Sequence, residues 1–230
     1  MNFLDIFAVW VTTMTSSLAI LPLLRIRDWH KRGTARGSSS FPLVLSILAS
    51  SCWLRYSLLS DGGHNRLMLV LHVSVGIACI AAFGCYSPIR RYLALQLVVF
   101  AVTLASVFAY VDSFEDQSEA GEAIGKICVV VQQSGMVGAV FELSRAIRIR
   151  TMEYIPWRIP FMFLAVSSQW LVYALLAGKY MIVIGEVPCL CIQLLSLVLY
   201  VVYPPITWRV PVLGVLRKDH FGEGLIDLHV

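Results

Sequence analysis

This sequence has little charge. Of its 230 residues only 14% are Asp, Glu, Lys or Arg, while 58% are hydrophobic and the mean hydropathy is +0.77. A soluble domain keeps about a quarter of its residues charged to wet its surface, so a water-borne globule is excluded. The same figures exclude intrinsic disorder, which needs low hydrophobicity. Six cysteines among 230 residues are too few for a disulfide-stapled secreted scaffold. Catalytic signatures are missing as well. There is no Gly-x-Ser-x-Gly, no His-Glu-x-x-His and no pair of aspartates within an apolar run, so no enzyme activity and no cofactor are expected. The start, Met1-Asn2-Phe3-Leu4-Asp5, is acidic rather than basic, and no small-residue cleavage site follows the first apolar run. The first run is therefore expected to be retained rather than removed as a signal peptide.

What is present is apolar length. Seven stretches come close to the ~20 residues that a helix needs to cross a bilayer. They lie at about 6–24, 42–59, 67–86, 92–110, 124–143, 157–176 and 181–203. They are apolar on nearly every face, whereas barrel strands alternate over ~10 residues. The sequence thus predicts an all-α membrane protein with seven transmembrane helices. Basic residues set its orientation. The connections after spans one, three and five, with the tail, hold Arg25, Arg27, Lys31, Arg32, Arg36, Arg90, Arg91, Arg145, Arg148, Arg150, Arg158, Arg209, Arg217 and Lys218, 14 of the 18 basic residues. Basic short loops stay cytoplasmic, which places the N-terminus outside and the C-terminus inside. The acidic connection from Asp112 through Glu122 then falls outside. The net charge of +4 reflects loops that face anionic lipid, and no nucleic-acid partner is expected. The cysteines (Cys52, Cys79, Cys85, Cys128, Cys189 and Cys191) all fall in spans and read as small buried hydrophobes, with no metal site.

Spans two and six share a pattern. Pro42 precedes Trp53-Leu54-Arg55-Tyr56, and Pro156 precedes Trp170-Leu171-Val172-Tyr173. A short polar loop follows each, and the next span carries one ionisable residue, His72 or Glu186. The seven spans then divide as three, one and three. Two parallel three-helix bundles (1–88 and 123–207) are joined by a linker helix and acidic loop (89–122), with a short tail at 208–230 that lies on the cytoplasmic lipid surface. Parallel repeats around a midplane site are a transporter architecture.

Two stretches resemble the SWEET sugar transporters of the MtN3/saliva family, in their animal form. One is Ile20-Leu21-Pro22-Leu23-Leu24-Arg25 running to Phe41-Pro42 and Ser51-Cys52-Trp53-Leu54-Arg55-Tyr56. The other is Arg148-Ile149-Arg150-Thr151-Met152-Glu153-Tyr154-Ile155-Pro156, with Trp170-Leu171-Val172-Tyr173 and Leu197-Val198-Leu199-Tyr200. The resemblance implies passive, bidirectional movement of a mono- or disaccharide by alternating access, with the site between the bundles. It implies that Trp53 and Trp170 flank the sugar. It also places His72 and Glu186 where the family carries paired asparagines. Pro22, Pro42 and Pro156 match three of the family's four flexing prolines, and the fourth position is Ala139 here. Tyr56, Tyr173 and Gly125 match further hinge or gate positions, while the glycines that follow the two tyrosines are Ser57 and Ala174. A homo-oligomer in the plasma membrane or the Golgi membrane is the corresponding expectation.

The residue types suit a sugar. Indole faces stack on the apolar C–H faces of a pyranose, and a few hydrogen-bonding groups serve its hydroxyls. His72 and Glu186 donate and accept, and both titrate. Because an isolated charge at bilayer depth is costly, they are expected to face each other across the cavity. They would share a proton as an ion pair or as a neutral hydrogen-bonded pair, unless one of them bonds locally within a helix interface. Two rivals remain. A PQ-loop carrier of amino acids or cystine shares the repeat plan, but Pro22 is followed by Leu23 and Pro156 by Trp157 rather than by glutamine. A seven-helix receptor lacks support, because the last span ends Tyr203-Pro204-Pro205 with no Asn-Pro-x-x-Tyr.

Overall fold

A computed structural model describes residues 2–36, 38–60, 63–87, 90–152 and 158–205. Among the described residues there are eight helices: α1 (Phe3–Ala19), α2 (Leu21–Arg32), α3 (Phe41–Leu59), α4 (Gly63–Tyr86), α5 (Arg90–Asp112), α6 (Gln117–Ile149), α7 (Arg158–Leu176) and α8 (Tyr180–Val202). Helices α1 and α2 form one interrupted span. Pro22 sits in the first turn of α2 and has no N–H to continue the ladder of α1, so the break falls at Ile20. The span then runs on to Arg32, beyond the expected end at 24, and stops at Gly33, whose φ of 67° needs a residue without a side chain.

Span five also exceeds its expected length. Most of the acidic connection is helix, because the Asp116 side chain accepts from the Ser118 N–H at 2.9 Å and Glu119 lies in the first turn, where a carboxylate favours the helix dipole. At 33 residues α6 is about 50 Å long, more than the ~30 Å hydrocarbon layer. The expected boundary at 122/123 therefore falls inside a helix. Among the described residues six helical stretches are long and apolar enough to cross a membrane, and Pro160–Leu176 in α7 is a shorter apolar one.

The packing is three, one and three. In the first bundle α4 lies between α1/α2 and α3; in the second α8 lies between α6 and α7. The bundles meet through α3 against α6 and α1 against α7, while α5 lies along α3 and α6. Exchanging the bundles maps one contact onto the other, which is the pattern of a two-fold. Backbone details repeat with it. The Ala35 N–H donates to the Tyr86 carbonyl at 2.9 Å, and the Met152 N–H donates to the Tyr203 carbonyl at 3.0 Å. Both pairs are displaced by 117 residues, as Trp53 is from Trp170.

Large apolar side chains point outward as well as inward, among them Leu67, Phe141 and Val201. That suits lipid on the outside and leaves helix association to close packing. Gly76 on α4 illustrates this packing, because a Cβ there would overlap Ile47 on α3. Arg55 on α3 and Asp112 at the end of α5 form an ion pair that ties the linker helix to the first bundle.

Candidate functional site

A cavity of about 280 Å³ lies between the bundles, lined by Thr15, Ser50, Trp53, Asn65, His72, Gln132, Trp170 and Glu186 among others. These residues come from α1, α3, α4, α6, α7 and α8, so every helix of both bundles except α2 contributes. A second cavity of about 510 Å³ shares Thr15, Ser46 and His72 with the first and extends to Pro22, Pro42 and Arg25. A third, of about 700 Å³, shares Tyr56, Ser60 and Lys179 and opens among Gln117, Gly121 and Tyr180. The three form a column along the bundle interface.

The two tryptophans are held by crossed hydrogen bonds. Trp53 Nε1 on α3 donates to Gln132 Oε1 on α6 at 3.0 Å, and Trp170 Nε1 on α7 donates to Thr15 Oγ1 on α1 at 2.9 Å. Each indole thus reaches into the opposite bundle. Gln132 follows Thr15 by the same 117 residues that separate the tryptophans. Each tryptophan also meets the tyrosine three residues on, edge to face. Ring centroids are 5.4 Å apart for Trp53–Tyr56 and 5.7 Å for Trp170–Tyr173, a favoured aromatic geometry.

The acceptors are in turn tied to the third helix of their own bundle. Gln132 Nε2 donates to Glu186 Oε1 at 3.3 Å and lies 3.3 Å from Cys189 Sγ and 3.4 Å from the Gly185 carbonyl. In the first bundle His72 bonds to the backbone of Thr15. Under the 117-residue shift the counterpart of His72 is Cys189 and that of Glu186 is Leu69. The two ionisable residues therefore sit one helical turn apart rather than at matching positions. Both line the same cavity, but among the described residues no ion pair joins them. Glu186 turns to Gln132 and Ser167 instead, and His72 Nε2 is buried without a partner. The expected direct His72–Glu186 contact is thus replaced by bonds that each residue makes within its own bundle.

The other expected residues fall as follows. Gly125 is buried in α6, where a Cβ would come within 2.9 Å of Met181 Cγ and 3.2 Å of Tyr56 Cε2; its small size lets Tyr56 seat against α6 at the mouth of the cavity. Tyr173 is buried in the core beside Trp170. Pro22 and Pro42 line the cavity at the far end. Pro156 and the tail lie outside the described residues. Sequence reasoning missed Thr15, Gln132 and Asn65, the last 7% exposed with its Oδ1 unpartnered in the cavity. The shift that pairs the tryptophans would have found the first two. It also missed Pro188 inside α8, two residues from Glu186. Among the described residues no cluster of His, Cys, Asp or Glu could hold a metal ion.

A polytopic membrane protein with two parallel three-helix bundles about a shared, aromatic-lined cavity is what the fold and the site define. Comparison with known proteins narrows this. Residues 122–207 match the family described as "Sugar efflux transporter for intercellular exchange". The chain is 26% identical over 181 residues to the sugar transporter SWEET1 of Drosophila pseudoobscura pseudoobscura, covering 78% of this chain and 80% of that one. It is 22% identical over 230 residues to the bidirectional sugar transporter SWEET10 of Arabidopsis thaliana, covering 97% and 78%. Its fold matches the solved structure of a eukaryotic SWEET transporter, with a TM-score of 0.79 at 18% identity over 88% of this chain and 99% of that one. The resemblance to the SWEET family drawn from the sequence is borne out, as is the 3-1-3 arrangement of membrane helices.

Proposed function

We propose that this protein is a sugar carrier that moves mono- or disaccharides across a membrane passively and in both directions, by alternating access. The observation that carries the reading is the crossed pair of bonds, Trp53 to Gln132 and Trp170 to Thr15, around one cavity between two like bundles. Two indole faces set on opposite sides of a cavity suit the two faces of a pyranose, and the polar groups between them suit its hydroxyls. The relatives, named as sugar transporters, point the same way.

In this reading Trp53, Trp170, His72 and Glu186 contact the sugar. Pro22, Pro42 and Pro156 let the spans flex, because each removes a backbone hydrogen bond. Tyr56, Tyr173 and Gly125 form the gate at the end of the cavity where α3 meets α4 and α7 meets α8. The repeats divide at 1–88 and 123–207, the N-terminus lies outside, and the working form is a homo-oligomer in the plasma membrane or the Golgi membrane. The reaction is transport and not chemistry.

The test is counterflow of labelled glucose in proteoliposomes with no ion gradient. Exchange that saturates, and that falls at least tenfold in Trp170→Ala while the variant still melts cooperatively, is the expected result. Folded protein that exchanges neither glucose nor any other sugar tried overturns the reading.

A further inference from the structure

Glu186 is out of keeping with a cavity made only for neutral sugars. It is a carboxylate at bilayer depth, where an uncompensated charge is expensive, and its hydrogen-bonding partners, Gln132 and Ser167, are both neutral. The basic groups along the column are His72, which bonds within the first bundle, Lys179 at the rim shared with the outer cavity, and Arg25 in the inner one. Meanwhile both indole N–H groups are already spent on Gln132 and Thr15. The tryptophans therefore offer the cavity their π faces and no donor. Asn65, 7% exposed, leaves Oδ1 unpartnered in the same space. Serine hydroxyls (Ser46, Ser50, Ser57 and Ser60) and Lys179 at the rim give the cavity donors, yet among the described residues no salt bridge joins a cationic side chain to Glu186.

We propose that this cavity selects a hexose that carries a protonated amine, with Glu186 as its counter-ion and Gln132 as the positioning residue that holds the carboxylate. This rests on the sugar-carrier reading and narrows its substrate class. An ammonium group brings three N–H donors and a charge that indole faces attract. The hydroxyls of the same ring satisfy Asn65, and the ring's apolar face stacks as a neutral sugar's would. Gln132 spans the distance between Trp53 and Glu186, so it couples the stacking surface to the charge.

The experiment is counterflow in proteoliposomes of the full chain at neutral pH, with labelled glucosamine and labelled glucose measured separately. Unlabelled 2-deoxyglucose serves as the neutral competitor in each. Glucosamine should compete about tenfold better than 2-deoxyglucose, the ratio that one charge-assisted hydrogen bond supplies. In Glu186→Gln the ratio should fall to about one, whatever happens to the absolute rates. Equal competition by the two in the unsubstituted protein overturns the proposal while leaving the sugar-carrier reading intact, and so does exchange of glucose alone. Exchange of neither sugar overturns both. Because the ratio is first read in the unsubstituted protein, a Glu186→Gln variant that fails to fold does not shield the proposal.

Discussion

Gln132 carries more of the site than its place in the sequence suggests. It accepts from Trp53 and donates toward Glu186, Gly185 and Cys189, and its neighbour Gln133 donates to the Gly185 carbonyl at 2.9 Å. Replacing it with leucine leaves the Trp53 N–H and the Glu186 carboxylate without these partners. Such loss costs about 1–3 kcal/mol per buried polar group. Gln132→Leu should therefore lower both the melting temperature and sugar exchange. Thr15→Val, which removes the acceptor of the Trp170 N–H and a local bond to the Val11 carbonyl of its own helix, should do so less. Thermal unfolding in detergent beside counterflow checks this, and equal effects of the two would show that the bonds to α8 contribute nothing. The tryptophans were legible in the sequence because large aromatics at matched spacing stand out. Gln132 was not, because a single amide in an apolar run is also a common helix-packing residue. His72 and Glu186 were legible as cavity residues but not as to their partners. A sequence shows that two groups titrate and not which neighbour reaches each first.

At the level of helices the site depends on how closely α6, α3 and α8 approach. Gly125 sits where they converge: an added methyl would lie 2.9 Å from Met181 Cγ and 3.2 Å from Tyr56 Cε2. Both contacts must give, and overpacking of this kind costs about 1–3 kcal/mol. Gly125→Ala should lower the melting temperature and slow exchange by displacing Tyr56 from the cavity mouth. Adding Met181→Ala should recover the melting temperature, and a double variant no more stable than the single one would place the strain elsewhere. The spans themselves could be read from hydropathy, since no face of these helices is polar enough to belong anywhere but in lipid and neighbouring helices. Their ends could not. Capping at Asp116 starts α6 about two turns before the expected span, and the span containing Pro22 continues as α2 to Arg32. Hydropathy sees neither cap nor kink, since both depend on single polar or imino groups rather than on averages.

For the whole molecule, a rocking carrier must expose one central site to each side in turn, whereas a fixed pore exposes it to both at once. The column of cavities provides three positions that separate these cases. Gly121 lines the outer cavity with nothing within 4 Å of an added Cβ, Ala49 lines the central one, and Ala19 lines the one that reaches Pro22. If the N-terminus lies outside, as proposed, a membrane-impermeant thiol reagent added to intact cells should block transport in Gly121→Cys and leave Ala19→Cys active. The pattern should reverse when the reagent is confined to the inner face. Ala49→Cys is the decisive position. It should react from either side, but a saturating sugar should protect it from both, because the site is the same whichever end is open. The unsubstituted chain, with Cys85 and Cys191 exposed on its surface and Cys52, Cys79 and Cys128 buried, supplies the background. Reaction at Ala49→Cys from one side only, unchanged by sugar, would mean that the bundles do not exchange access. The crossed tryptophan bonds would then fix the two halves together rather than frame a moving site.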